Sequence, residues 1–308
     1  HSFPTRRASD LPSMPPPRNS NLTGIGLAVA GFALFSAADG LIKHLSTRYP
    51  LVEVVFFNAL FSLGFIAVVA IGWGGRRMLT TRRPGIHALR GLFGLAAGYG
   101  AFFGFSHMPM ADVYAILFSS PLIIAAFSGV LLGERVDGRR WVAVLVGFAG
   151  VLVMLRPGSG TVNVGVLGAV VGALGYSASA LVVRRYGPGE TPFSFPFFGN
   201  ALVTAILALF QPFVFVPPAP ADLGLMALAG LCGGMALTCA LGTFRIAPAP
   251  VVAPFQYTQM VWGVLMGVLV FGDVPSPWLA AGGGLVVASG LYLLQRERRA
   301  ARMPAPAE

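Results

Sequence analysis

Gly31-Phe-Ala-Leu-Phe-Ser-Ala-Ala-Asp-Gly-Leu-Ile-Lys43 is echoed 141 positions later by Gly172-Ala-Leu-Gly-Tyr-Ser-Ala-Ser-Ala-Leu-Val-Val-Arg184. The echo recurs elsewhere at nearly the same offset. Phe57-Asn58-Ala59-Leu60 returns as Gly199-Asn200-Ala201-Leu202, and Leu132-Gly133-Glu134-Arg135-Val136 returns as Phe271-Gly272-Asp273-Val274. Both copies are almost entirely apolar, so the repeating unit is a block of membrane helices. If a block holds an odd number of helices, its second copy enters the bilayer upside down.

Composition sets the class. Only 10% of residues are charged, 56% are hydrophobic, and the mean hydropathy is +0.76. A soluble domain carries roughly 25% charged residues, so this chain cannot cover a water-facing surface. Its 40 glycines and 24 prolines lie largely inside apolar runs, where membrane helices tolerate them. Cys232 and Cys239 lie seven apart in one apolar run and read as small packing residues. The first residues stand apart: His1-Ser-Phe-Pro-Thr-Arg-Arg-Ala-Ser-Asp-Leu11 resembles a translated sequencing adapter, and Met14 is the better native start.

Apolar runs bounded by charge, Pro or Gly give ten spans of about 20 residues: 24–45, 51–73, 87–106, 109–132 and 140–155, then 163–186, 193–216, 222–244, 249–271 and 276–294. The fold class expected is therefore an all-α polytopic membrane protein, ten transmembrane helices in two inverted five-helix repeats. The division is a leader and short N-terminus (1–22), a first repeat (23–156), a second repeat (161–295) and a basic tail (296–308). With the N-terminus cytoplasmic, 16 Lys and Arg fall on inside segments; only Lys43, Arg48 and Arg156 fall outside. That split obeys the positive-inside rule and puts both termini in the cytoplasm. The net charge of +10 then belongs to the cytoplasmic leaflet and its anionic lipid, not to a nucleic acid.

Polar residues within these spans are the candidate machinery. Counted from Gly24, Asp39 lies roughly 22 Å into the first span and Lys43 about 28 Å. Four apart with the acid first, they are spaced for a helical ion pair, and an ionisable group in a span implies a purpose. Asn58 and Asn200 are equivalent amides that should face the bundle. In the ninth span Gln256, Gln259 and Gly263 share a face, with Tyr257 and Trp262 alongside and Pro254 breaking the helix just before them. The matching stretch of the fourth span is Tyr114, Phe118, Ser119, Ser120 and Pro121. Aromatic and polar groups beside matched breaks are what a midplane solute site needs. The expected site residues are Tyr99, Ser119, Tyr176, Gln256, Gln259 and Trp262, with Asp39 and Lys43 as coupling or ion pair; Tyr99 and Tyr176 would close the site by stacking. Gly94 with Gly98, Gly100 with Gly104, Gly168 with Gly172 and Gly263 with Gly267 let helices approach closely. Glu134 and Asp273, closing the fourth helix of each half, read as structural acids.

Ten spans in two inverted halves, the Gly133-Glu134 and Gly272-Asp273 pairs, Pro109-Met-Ala-Asp-Val-Tyr-Ala-Ile-Leu-Phe-Ser-Ser-Pro121 and Pro248-Ala-Pro-Val-Val-Ala-Pro-Phe-Gln-Tyr-Thr258 together resemble the drug/metabolite transporter superfamily, EamA type. The resemblance covers about residues 23–294, and is greatest to proteobacterial members for small metabolites of the S-adenosylmethionine and riboflavin type. It implies a secondary transporter of the inner membrane, moving a small organic metabolite by alternating access. Asn58 departs from the Arg of many relatives, and Gln256 from their Glu. A homodimer is left open. The rival classes are a polytopic membrane enzyme and a channel. His1, His44, His87 and His107 lack metal-ligand spacing, and no phosphate-binding loop is present, so no metal or cofactor is expected and the chain is not read as an enzyme. Few fixed charges and many aromatics favour a neutral or zwitterionic, partly aromatic solute.

Overall fold

The computed structural model describes residues 18–132, 138–155, 164–187, 189–247, 249–273 and 277–300. Gly133, Glu134, Arg135, Arg156 and the leader lie outside these residues. All regular structure among the described residues is helical: α1 (Arg18–Leu45), α2 (Leu51–Gly74), α3 (Pro84–His107), α4 (Met110–Leu117), α5 (Ser120–Leu132), α6 (Gly138–Leu155), α7 (Val164–Tyr186), α8 (Ser194–Ala208), α9 (Gln211–Val214), α10 (Pro220–Ile246), α11 (Ala249–Val252), α12 (Thr258–Phe271) and α13 (Pro277–Ala300). Short 3-10 turns cover Arg76–Leu79 and Ala253–Tyr257. Seven helical stretches are long and apolar enough to cross a membrane; Trp141–Met154 and Ser194–Ala208 are shorter apolar helices. The chain is thus a multi-pass, all-helical membrane protein.

Proline sets many of the boundaries. Pro84, Pro220 and Pro277 open α3, α10 and α13, where the missing N–H is not needed. Inside a span, proline leaves the carbonyl four residues earlier without a donor, and the helices end there. α4 stops at Leu117, four before Pro121, and α8 stops at Ala208, four before Pro212. Ser120 Oγ donates to the stranded Leu117 carbonyl at 2.6 Å. Pro254 falls inside the 3-10 turn between α11 and α12. The breaks beside Pro121 and Pro254 were expected from sequence; that beside Pro212 was not. It divides the expected 193–216 span.

Where helices meet, small residues let backbones touch. A Cβ on Gly100 would lie 2.6 Å from both the Gly168 carbonyl oxygen and the Gly172 nitrogen, so α3 and α7 pack at near-minimal separation. α1 crosses α10 with a Gly31 Cβ position 3.1 Å from Cys239 Cβ, and α6 meets α13 at Gly150 and Gly282. Gly94, by contrast, has open space where a Cβ would be. The deepest core surrounds α4, whose Met110, Val113, Tyr114 and Ile116 are at most 2% exposed. Val68, Leu145, Leu167, Phe213 and Leu269 stand outward as an apolar surface that lipid would cover.

Certain contacts come in pairs. Ser36 Oγ donates to the Gln259 carbonyl at 3.3 Å, and Ser177 Oγ donates to the Ser120 carbonyl at 3.3 Å. Ser177 follows Ser36 by 141 positions, and Gln259 follows Ser120 by 139. Phe118 and Tyr257, also 139 apart, touch each other, with ring centroids 5.3 Å apart.

Candidate functional site

The interior polar cluster is built by α1, α4 and α12. Asp39 and Ser36 lie three apart on α1, hence on one face. The Tyr114 hydroxyl, from α4, donates to Asp39 Oδ2 at 2.5 Å and lies 3.2 Å from Ser36 Oγ. Tyr114 reaches this position because α12 offers no side chain at Gly263: a Cβ there would overlap the phenol ring. Phe105 and Phe118 pack on the ring at centroid distances of 5.0 and 6.2 Å. Gln259 joins through its backbone carbonyl, and its amide side chain faces Asp39 and Tyr114. Asp39, Ser36 and Tyr114 are all buried. A carboxylate held by a phenol and faced by an amide, and not by a cation, can take up or release a proton with only a small rearrangement.

The ion pair expected between Asp39 and Lys43 is not the one formed. Lys43 Nζ donates to Asp273 Oδ2 at 2.8 Å and to the Met108 carbonyl at 3.2 Å, and lies 4.8 Å over the Phe271 ring. The Met110 N–H donates to the same Asp273 oxygen at 3.3 Å. Gly272 places the acid there. Its left-handed backbone (φ +67°) turns the chain so that the Asp273 N–H bonds back to the Gly267 carbonyl, 2.9 Å away. One carboxylate oxygen therefore ties the ends of α1 and α12 to the α3–α4 connection, with Asp112 in electrostatic reach.

The remaining expected residues divide. Ser119 is 3% exposed and forms the turn between α4 and α5. Gln256 is half-buried in the 3-10 turn ahead of α12. Trp262 is half-buried on α12, its indole N–H enclosed without a partner. Tyr176 falls on α7 between Gly172, which meets α3, and Ser177, which meets α5, and 49% of its surface is open. Its ring therefore looks into space inside the bundle. Tyr99 stands apart from the cluster, on the flank of α3 that carries the exposed Leu92. Tyr99 and Tyr176 are not stacked. Asn200 donates to the Pro196 carbonyl at 2.9 Å within its own helix, while Asn58 Oδ1 is buried without a partner.

A second polar group, around α3, α7 and α8, was not among the expected site residues. His87 Nε2 lies 3.1 Å from Glu190 Oε2, with both side chains at most 5% exposed. Its ring packs on Phe195 and Phe198 at 4.6 and 5.1 Å. One turn on, Arg90 Nη1 donates to the Phe195 carbonyl at 2.7 Å, and its guanidinium lies 5.3 Å from that ring's centroid. In sequence Arg90 counts as one more cytoplasmic cation, and only the fold turns it inward.

This architecture matches known proteins. The EamA-like transporter family model matches residues 22–156 and again 163–295, and the chain belongs to that family. It is 29% identical to an S-adenosylmethionine uptake transporter of Rickettsia conorii, over 91% of this chain and 95% of that protein. It is 29% identical to a riboflavin transporter of Rhizobium johnstonii, covering 94% and 96% of the two chains. A pseudopaline exporter of Pseudomonas aeruginosa is 26% identical, with coverage of 90% and 97%. A crystal structure with 20% sequence identity shares the fold at a TM-score of 0.63, over 90% of this chain and 98% of that one.

Proposed function

We propose that this protein is a secondary transporter of a small organic metabolite, working by alternating access between inverted repeats at 23–156 and 161–295. It resides in the bacterial inner membrane with both ends cytoplasmic. The observation that carries the reading is the exchange of paired contacts. Ser36 on Gln259 and Ser177 on Ser120 are one interaction made twice, with the halves swapping roles, as two-fold-related repeats require. The distribution of Lys and Arg supports the orientation.

The solute binds in the bundle between α1, α4, α7 and α12, in contact with Gln256, Gln259, Ser119 and Tyr176. Such a lining, aromatic and amide with little fixed charge, suits a neutral or zwitterionic solute bearing a flat ring. Relatives named for S-adenosylmethionine and riboflavin fit that description. Since relatives are named for both uptake and export, family membership leaves the direction to experiment. Asp39, held by Tyr114, is the group that would couple solute movement to protons. The test is uptake of radiolabelled S-adenosylmethionine and riboflavin by proteoliposomes, alongside a broader metabolite panel. Saturable movement of at least one solute is expected; a protein that moves none of them, under any imposed gradient, overturns the reading.

A further inference from the structure

The guanidinium of Arg90 is a cation within an apolar span, and no carboxylate among the described residues faces it. Nη1 is committed to the Phe195 carbonyl and the planar face to the Phe195 ring. Nε is buried and makes no hydrogen bond, so one edge of the fork is unused. The acid on the α7–α8 connection, Glu190, is engaged by His87, with Thr81 and the Arg82 backbone as further donors. Tyr176 lies within electrostatic reach of Arg90 and is half open to the interior. A Cβ on Gly199 would stand 3.0 Å from Nη1, so α8 keeps room for the head group at that point. Orphaned buried donors are rare in native proteins, and an orphan on a cation is costlier still. Arginine presents paired N–H groups that match a carboxylate side-on.

We infer that Arg90 is the anchor for a carboxylate of the transported solute, in a subsite walled by Tyr176 and Phe195. This rests on the transport reading and narrows it: of the neutral and zwitterionic solutes that reading admits, it selects a zwitterion whose carboxylate lies at α3 while its ring lies toward Tyr176. The inward azimuth of Arg90, between α7 and α8, favours a solute over a lipid phosphate.

The experiment reads binding and needs no transport. Purified full-length protein in an uncharged maltoside detergent, which supplies no phosphate, is melted with matched ligands at millimolar concentration. The pairs are 3-phenylpropionate against its amide, nicotinate against nicotinamide, and S-adenosylmethionine against its decarboxylated form. At least one carboxylate member should raise the melting temperature while its uncharged or decarboxylated partner does not. Arg90→Gln should weaken that binding roughly ten- to hundredfold. Arg90→Lys, which keeps the charge but loses the fork, should recover only part of it. Equal stabilisation by both members of every pair, or by none, overturns the inference, as does full binding in Arg90→Gln. The wild-type comparison stands even if a variant fails to fold. Absent uptake in proteoliposomes, with carboxylate binding intact, would count against the transport reading and not against this site.

Discussion

The Asp39 carboxylate is held by a phenol and faced by the Gln259 amide rather than by a cation, which suits it to gaining and losing charge. If Asp39 carries the coupling proton, Asp39→Asn should abolish accumulation against a gradient while sparing solute-for-solute exchange, which needs no net proton movement. Proteoliposome assays run both ways, normalised to folded protein, decide this. Loss of both activities in well-folded protein would make the residue a solute or packing contact. Asp39 as a candidate was legible in the sequence, because an acid deep in an apolar run implies a purpose. Its partner was not, because Tyr114 lies 75 positions away, whereas spacing arguments see only neighbours on the same helix. The placement of Tyr99 failed for another physical reason. A helix with lipid on one side and protein on the other is apolar all round, so periodicity does not say which flank looks inward. Tyr99 is nine residues from Arg90, two and a half turns at about 100° per residue, and so faces the opposite way.

Between helices, two polar ties hold opposite ends of the bundle. The Lys43–Asp273 tie joins α1 to α12 and must open if those ends separate during transport. A partly buried, charge-assisted bond of this kind contributes about 1.5–3 kcal/mol. Lys43→Gln should therefore shift the open-to-closed ratio at that end by roughly ten- to hundredfold. A cysteine at Ser36 in a cysteine-free background would report it as faster labelling by an impermeant reagent; unchanged labelling would mean that other contacts hold this end shut. The second tie, His87–Glu190, fixes the α7–α8 connection to α3. Burial works to raise the Glu190 carboxyl, but hydrogen bonds with His87, Thr81 and Arg82 outweigh it and leave it below the ordinary carboxylate range. A depressed folded value means that the stabilisation is complete above the ordinary range and disappears as pH falls through the lower one. Glu190→Gln should lower the melting temperature by roughly 2 °C at neutral pH, with the gap from wild type closing in acid. A gap that stays constant down to strongly acidic pH would assign the effect to packing. Neither tie was legible from sequence, since each joins residues more than 100 positions apart. The helix breaks were partly legible, because proline acts through its own missing donor.

Across the entire chain, composition and repetition carried most of the outcome. A chain this poor in charge has no soluble fold available, and an echoed apolar block leaves few architectures. What repetition could not supply was asymmetry. Across the repeat's offsets Arg90 is matched only by Ala229-Gly-Leu-Cys232, none of them a cation, so the two halves differ where they would meet a solute. The orientation is tested by cysteines placed beside Arg82 and Arg139, which should react with impermeant reagents only after the inner face is opened; labelling from the periplasmic side would reverse the topology. The contact of Phe118 with Tyr257 has a further consequence. If the halves are two-fold related as proposed, residues matched by the repeat that also touch each other lie on the axis between them. When the halves trade conformations, every other pair exchanges surroundings, but a pair on the axis keeps its own. On that reading these two rings are the fulcrum of the proposed cycle. Trimming either one should slow the inward and outward strokes alike, leaving the resting balance between them where it was.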